Sequence, residues 1–398
     1  MSGSSPGPPG QGHGTGLTLG EVLREALAPP RPVPSLSAHH RKVIGALVRC
    51  RTSALGAHHY QCAHCRGKHV VPHSCRNRHC PTCQGDAARR WLAQQEALLL
   101  PVPYFHTVFT LPHRLNPLIA QNQASLYALL FDTAAGVLLD FGRNNLGVQL
   151  GFTAVLHTWS QTLLDHYHLH VVVPGGGIAL NGTRWIHTEP KFLFPVRALS
   201  KVFRARFLDG LRQLRDQQKL EFHGALQALS APPAFEALLS EAAAPDWVVY
   251  TKAPFAGPEQ VLRYLSRYTH RVAISNRRLL GLDREAGTVR FRYRDYADHS
   301  RSKCTSLPLA EFLRRWSLHI VPPRFVRIRH YGLLGNRQRH QRIERARQLL
   351  GVALPRPPQP PPPAVPIPCP HCGHEALVLI RITRPPPVTR SPPVLDSS

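Results

Sequence analysis

Acidic side chains are scarce in this chain. Its 398 residues hold 23 Asp and Glu against 49 Lys and Arg, a formal net charge of +26 before the 24 histidines are counted. A surplus of that size, with arginine spread along the whole length, makes a polyanion the expected partner, and nucleic acid is the commonest one. Long apolar runs are missing as well. None approaches the roughly 18 to 20 residues that span a bilayer, and Met1-Ser2-Gly3-Ser4-Ser5-Pro6 has neither the basic start nor the apolar stretch of a signal peptide. The expectation is a cytosolic protein with no membrane partner. In that compartment nine cysteines, several spaced Cys-x-x-Cys, predict metal ligands and not disulfides.

At this length there is room for roughly two or three domains. Residues 1–18 are rich in Gly, Ser and Pro and are expected to be disordered. Residues 19–100 read as a helical lead-in followed by a zinc-binding domain, with a ribbon over 58–84. Cys62 and Cys65 form one knuckle there, and Cys80 and Cys83 form another 14 residues later. Each knuckle offers two thiolates from a tight turn, so the four together predict one tetrahedral structural Zn2+ site. Cys50, Cys75, His58, His59, His64 and His79 are spare donors that leave the ligand set open and leave room for a second ion. Lys68, His69, Arg76 and Arg78 between the knuckles predict contact with phosphate. The Pro-rich tail, 351–398, is expected to be disordered, and its proline run over 355–370 cannot be helix or central strand and reads as a stiff linker. Cys369 and Cys372 after it make a lone knuckle with His371 and His374 nearby, a weak signal with no partner named by the sequence.

Between these parts the pattern predicts strands over 104–110, 151–157, 168–173 and 247–251, with helices over 116–139 and 198–220 and a helical insertion over 221–246. The order β-α-β-β-α-β suits an α+β fold with a ferredoxin-like antiparallel sheet, in which the third strand is central. That strand carries His168 and His170. Residues two apart in a strand share a face, so these imidazoles lie about 7 Å apart at their Cα atoms and can converge on one divalent ion. The alternative is a pair of packed core histidines. A helix opened by Pro258 follows, with Tyr264 and Tyr268 one turn apart and Arg263, Arg267 and Arg271 on the adjoining stripe. Tyrosines at that spacing more often fill a core; arginines four apart are also placed to grip successive phosphates. Over 288–294 Val289, Phe291 and Tyr293 alternate with Arg290, Arg292 and Arg294, which predicts a strand with a basic outer face.

His-hydrophobic-His on a strand followed by Tyr-x3-Tyr on a helix resembles the HUH endonucleases of the two-tyrosine class. Together with the cysteine-rich start, the chain is similar to the rolling-circle transposases of insertion sequences. The matching stretches run from Cys62 to Gln84, from Leu156 to Trp159 with His168 to Gly177, and from Tyr264 to Arg271. Where the family pattern has proline before the first histidine, this chain has Tyr167, which puts a stray tyrosine near the expected metal. The resemblance implies an HUH palm over 101–280, with 281–350 as a basic DNA-binding extension that includes Arg290, Arg292 and Arg294. It implies Tyr264 and Tyr268 as nucleophiles that nick and rejoin single-stranded DNA through 5′-phosphotyrosine links, with transposon ends and target as partners. It implies Mg2+ or Mn2+ on His168 and His170, where ligand softness alone would equally allow zinc. A third ligand has to come from a neighbouring strand or the tyrosine helix; His157 is the first choice, with a packed strand histidine its equal alternative, and Gln161 and His106 stand behind it. A homodimer is left open. The rival readings are a replication initiator or relaxase of the same chemistry, and a non-catalytic zinc-ribbon DNA-binding regulator.

Overall fold

The structure, a computed structural model, describes residues 16–96, 98–252, 272–352 and 368–385. Tyr264, Tyr268, Arg263, Arg267 and Arg271 lie outside the described residues. The chain opens with helices Leu19–Ala26 and Ala38–Val48. The first begins at a capping box, in which the Thr18 hydroxyl accepts the Glu21 N–H and the Glu21 carboxylate accepts the Thr18 N–H. Strands β1 (Ala57–Cys62) and β2 (Lys68–Pro72) form a hairpin, and helix Pro81–Glu96 follows. Next come β3 (Tyr104–Thr110), helix Gln123–Leu146, β4 (Val148–Gln149), β5 (Gly151–Trp159), β6 (Asp165–Pro174), β7 (Gly176–Ala179) and β8 (Trp185–His187). Helices Val196–Asp216 and Pro232–Ala243 lead to β9 (Val249–Lys252). Beyond residue 271 lie β10 (Leu279–Asp283), β11 (Thr288–Asp295), β12 (Arg301–Pro308), helix Leu309–Ser317, β13 (Ile328–Gly332), helix Arg339–Leu349 and β14 (Leu377–Thr383).

The largest sheet has the order β13-β5-β6-β3-β9, and every pair in it is antiparallel. The protein is therefore α+β, with β6 in the middle. Its alternation divides the two faces. Leu169, Val171 and Val173 point into a core shared with Phe105, Phe109, Leu156, helix Gln123–Leu146 and helix Val196–Asp216. His168 and His170 point the other way, because the period of a strand is two. Tyr167 goes with the core face, its ring 5.8 Å from that of Tyr127. The tyrosine expected near the metal is thus on the opposite side of the sheet.

Three expectations change. Residues 281–350 are not a separate extension, since they send β13 to pair with β5 in the central sheet. The tail is not wholly disordered, because β14 pairs with β1 to complete a sheet of order β14-β1-β2. Helix Gln123–Leu146 is also long and apolar enough to cross a membrane by length and composition; here Leu126, Leu130, Phe131 and Leu138 are buried against the sheet. Proximity in space, which no local pattern reports, decides the first two, and the third follows from the composition of the helix.

The core face predicts its own sensitivity. Phe203 is fully buried, with its ring 5.0 Å from Phe109 and 5.5 Å from Trp247. Replacing it by alanine leaves a cavity that rigid strands cannot close, and the expected loss is about 3 to 5 kcal/mol of unfolding free energy. Urea titration of the purified chain measures it; a loss under about 1 kcal/mol would mean that the helix layer does not pack as described.

Candidate metal and nucleic-acid sites

Antiparallel pairing of β5 with β6 sets His157 directly opposite His168. His157, His168 and His170 then form one group, each offering a ring nitrogen within 4.8 Å of the others. A register shift follows His157, and bulges of this kind re-aim side chains. Trp159 consequently stacks on the His157 ring at 4.8 Å between centroids, and the Arg327 guanidinium lies 5.2 Å from the Trp159 ring on which it sits.

The hydrogen bonds choose the tautomers. His168 Nδ1 lies 2.9 Å from the carbonyl oxygen of His166. A carbonyl only accepts, so Nδ1 carries the proton and Nε2 is left as an acceptor. His170 Nδ1 lies 2.8 Å from His106 Nε2. Burial, aided by the charge of Lys252, pushes the His106 pKa down to about 4, so this ring is neutral, with one donor and one acceptor nitrogen. In the tautomer whose Nε2 accepts the His170 Nδ1 proton, His170 Nε2 faces the site as an acceptor, 3.1 Å from His168 Nε2. Two acceptors so close suit a cation between them. Nitrogens about 2.1 Å from one metal ion stand about 3.0 Å apart at a right angle and about 3.4 Å apart in a tetrahedron, which brackets the spacing here. The group fits a divalent cation.

Of the other donors considered for this site, His106 stands behind His170 and orients it, the role that an outer partner plays for a metal-binding histidine. Gln161 is engaged elsewhere, its amide 3.4 Å from the Tyr296 hydroxyl and its oxygen 3.4 Å from the Arg294 N–H. On the near side of residues 253–271, Lys252 is the register partner of His106. On the far side, Ala273 and Ile274 belong to the hydrophobic cluster that contains Trp159.

The single cage expected from Cys62, Cys65, Cys80 and Cys83 does not form. Cys62 and Cys65 group with Cys369 and Cys372, whereas Cys80 and Cys83 group with Cys50 and Cys75. The β1–β2 hairpin is the reason. Its turn holds Cys62 and Cys65, while Cys50 and Cys75 lie by its open end, about 17 Å away at the rise of a strand. Within the Cys50 group the sulfurs of Cys50 and Cys83 are 3.6 Å apart, Cys80 and Cys50 3.6 Å, and Cys75 and Cys83 3.7 Å. Thiolates about 2.3 Å from one tetrahedral zinc stand about 3.8 Å apart, so the spacing suits a single ion. The Cys75 thiol, assisted by the Cys83 N–H, holds the Cys80 pKa down to about 5, while burial raises that of Cys50 and the Cys80 contact raises that of Cys75, so one thiolate of the group is favoured before any metal binds. His79 is not in the group; burial, with Arg327 next in effect, lowers its pKa to about 3.

On β11 Val289 and Phe291 are buried and Arg290, Arg292 and Arg294 are exposed. Their partners on β12 are Ser306, Cys304 and Ser302, respectively. With these short neighbours, the three arginines stand exposed on the middle strand of the sheet β10-β11-β12.

Comparison with known proteins agrees with this layout. A family model described as "Putative transposase" matches residues 151–342, and one described as "Transposase zinc-binding domain" matches residues 22–111. The chain is 49% identical over 325 residues to "Putative transposase y4qJ" of Sinorhizobium fredii, covering 81% of each chain. It is 30% identical over 331 residues to the transposase for insertion sequence element IS801 of Pseudomonas savastanoi pv. phaseolicola, covering 79% of this chain and 75% of that one. No solved structure matches it.

The arginine face predicts a salt signature. With Arg290, Arg292 and Arg294 all changed to alanine, DNA affinity should fall and the slope of log affinity against log salt should flatten by about 2 to 3. Fluorescence anisotropy over a salt series measures both, and an unchanged slope would take this face out of the DNA interface.

Proposed function

The chain belongs to the rolling-circle insertion-sequence transposase family with an amino-terminal zinc-binding domain, and we propose that it nicks and rejoins single-stranded DNA by metal-dependent tyrosine attack. One observation carries the reading. His157, His168 and His170 converge on the sheet face turned away from the helix layer, and Lys252, which precedes the stretch of sequence that carries Tyr264 and Tyr268, pairs with His106 beside them. The strand order β9-β3-β6-β5 is the one a β-α-β-β-α-β unit takes in a ferredoxin-like palm, which supports reading the sheet as the HUH palm.

A divalent cation, Mg2+ or Mn2+ by family resemblance, would draw charge from the scissile phosphate when held by the three imidazoles. His166 and His106 keep the two ligand rings turned so that their Nε2 atoms face it. One tyrosine hydroxyl attacks phosphorus: the Oη–P bond forms, the P–O3′ bond breaks, and the phenolic proton ends on the leaving 3′ oxygen. The products are a 5′-phosphotyrosine and a free 3′-hydroxyl, so the energy of the bond is kept for rejoining without ATP. A phenol has a pKa near 10, and Arg263, Arg267 and Arg271 beside the tyrosines in sequence favour its ionised form. Two tyrosines permit two such links in alternation. The structural Zn2+ belongs to the cysteine-rich module, and the working partners are single-stranded transposon ends and target in the cytoplasm, at the nucleoid.

The test is cleavage of a single-stranded terminus oligonucleotide. Tyr264→Phe/Tyr268→Phe should abolish both cleavage and the covalent protein–DNA band while DNA binding persists, and EDTA should do the same to the unaltered chain. Cleavage by the double variant at the normal rate would end this reading. For the ring that orients the site, His106→Ala should weaken Mn2+ affinity by about 10- to 100-fold. His106→Gln, which restores an acceptor for the His170 N–H, should recover most of it. Titration calorimetry measures this, and equal affinities in all three proteins would remove His106 from the site.

A further inference from the structure

Four cysteines remain after the Cys50 group is assigned a metal, apart from Cys304, which is exposed on β12. They come from opposite ends of the chain. Cys62 lies 3.7 Å from Cys372 and Cys65 lies 3.7 Å from Cys369, pairs separated by 310 and 304 residues. All four sulfurs lie within 4.8 Å of one another. A disulfide needs about 2.0 Å, whereas four thiolates on one tetrahedral zinc stand about 3.8 Å apart. We infer that these four residues hold a second zinc ion, and that the zinc ribbon is split: the amino-terminal hairpin supplies one knuckle, and the tail supplies the other together with the third strand.

Each knuckle is built for the task by the same local turn. After the second cysteine the backbone enters the left-handed region, at Arg66 with φ 59° and at Gly373 with φ 74°. The Arg66 N–H donates to the Cys62 carbonyl and the Gly373 N–H to the Cys369 carbonyl. Such tight turns present both sulfurs of a Cys-x-x-Cys on one side.

The hairpin is also shaped to receive the tail. A Cβ on Gly56 would lie 2.2 Å from the Thr383 carbonyl oxygen, and one on Gly67 would lie 2.8 Å from the His371 ring. Glycine at both positions is what lets the two segments close. Thr383 caps the pairing by accepting the Ala57 N–H, and the His64 and His374 rings stack at 3.8 Å. The Ala63 N–H donates to the Ala376 carbonyl at 2.8 Å. The tail lies outside both family matches, which end at residues 342 and 111, so the zinc-binding module recognised there lacks half of this site.

Metal counting decides the matter. The full chain carrying His168→Ala/His170→Ala takes the imidazole site out of the count, and it should hold about two zinc ions by native mass spectrometry and elemental analysis. Adding Cys369→Ser/Cys372→Ser should reduce this to about one and remove hydrogen-exchange protection from the amides of β14. His64→Ala/His374→Ala should leave the count at about two, because four thiolates complete the tetrahedron without those rings, whose nitrogens also lie within 4.8 Å of Cys372; a count of about one in that variant would overturn the all-cysteine ligand set. One zinc in the parent, an unchanged count in the cysteine variant, or iron in place of zinc would each overturn the assignment. If the cysteine variant does not fold, the parent's count alone decides. None of these outcomes depends on nuclease activity.

Discussion

The pairing of β5 with β6 is the constraint from which the imidazole site follows. Antiparallel register sets His157 opposite His168, and the two-residue period of β6 turns His170 to the same side. A one-residue slip would send both β6 histidines into the helix-covered core and bring Leu169 to the open face. The core guards against this: Leu169, Val171 and Val173 are fully buried, and exchanging them for imidazoles would expose apolar surface and bury polar rings at once. Hydrophobic burial on one face thereby secures the geometry of the polar group on the other.

The ligand rings are secured in turn by hydrogen bonds that leave little freedom. His168 is tied to a carbonyl of its own strand and His170 to a neutral ring on β3. Both bonds use Nδ1 and leave Nε2 facing inward. Burial depresses the basicity of His106, and the same burial makes it a dependable acceptor. Rings held in this way would need little reorganisation to receive the proposed cation, which is the condition for strong electrostatic stabilisation.

The cysteine groups do a different kind of work. A small hairpin has too little apolar surface to hold itself or a distant segment, and much of β14 faces solvent, with Val378, Leu379, Ile380 and Ile382 exposed. Thiolate–metal bonds supply what burial does not in such modules. The Cys50 group lies in the same cluster as the amino-terminal helices, Trp159, Phe291 and Trp316, so the metal module, the arginine-bearing sheet and the edge of the imidazole site share one packed region.

Local pattern was enough for much of this. Alternation showed the strands at 104–110, 151–157 and 168–173, the outward arginines of β11, and the common face of His168 and His170, because side-chain direction within a strand depends only on its own backbone. The cysteine spacing revealed knuckles for the same reason. Which knuckle meets which could not be read there: Cys62 and Cys65 find their partners more than 300 residues away, and a Cys-x-x-Cys carries no mark of its complement. The membership of β13 in the central sheet, the removal of Tyr167 to the core face and the place of His106 behind His170 were likewise decided by tertiary structure. Each depends on register between strands distant in sequence, and register is set by what the whole sheet can bury.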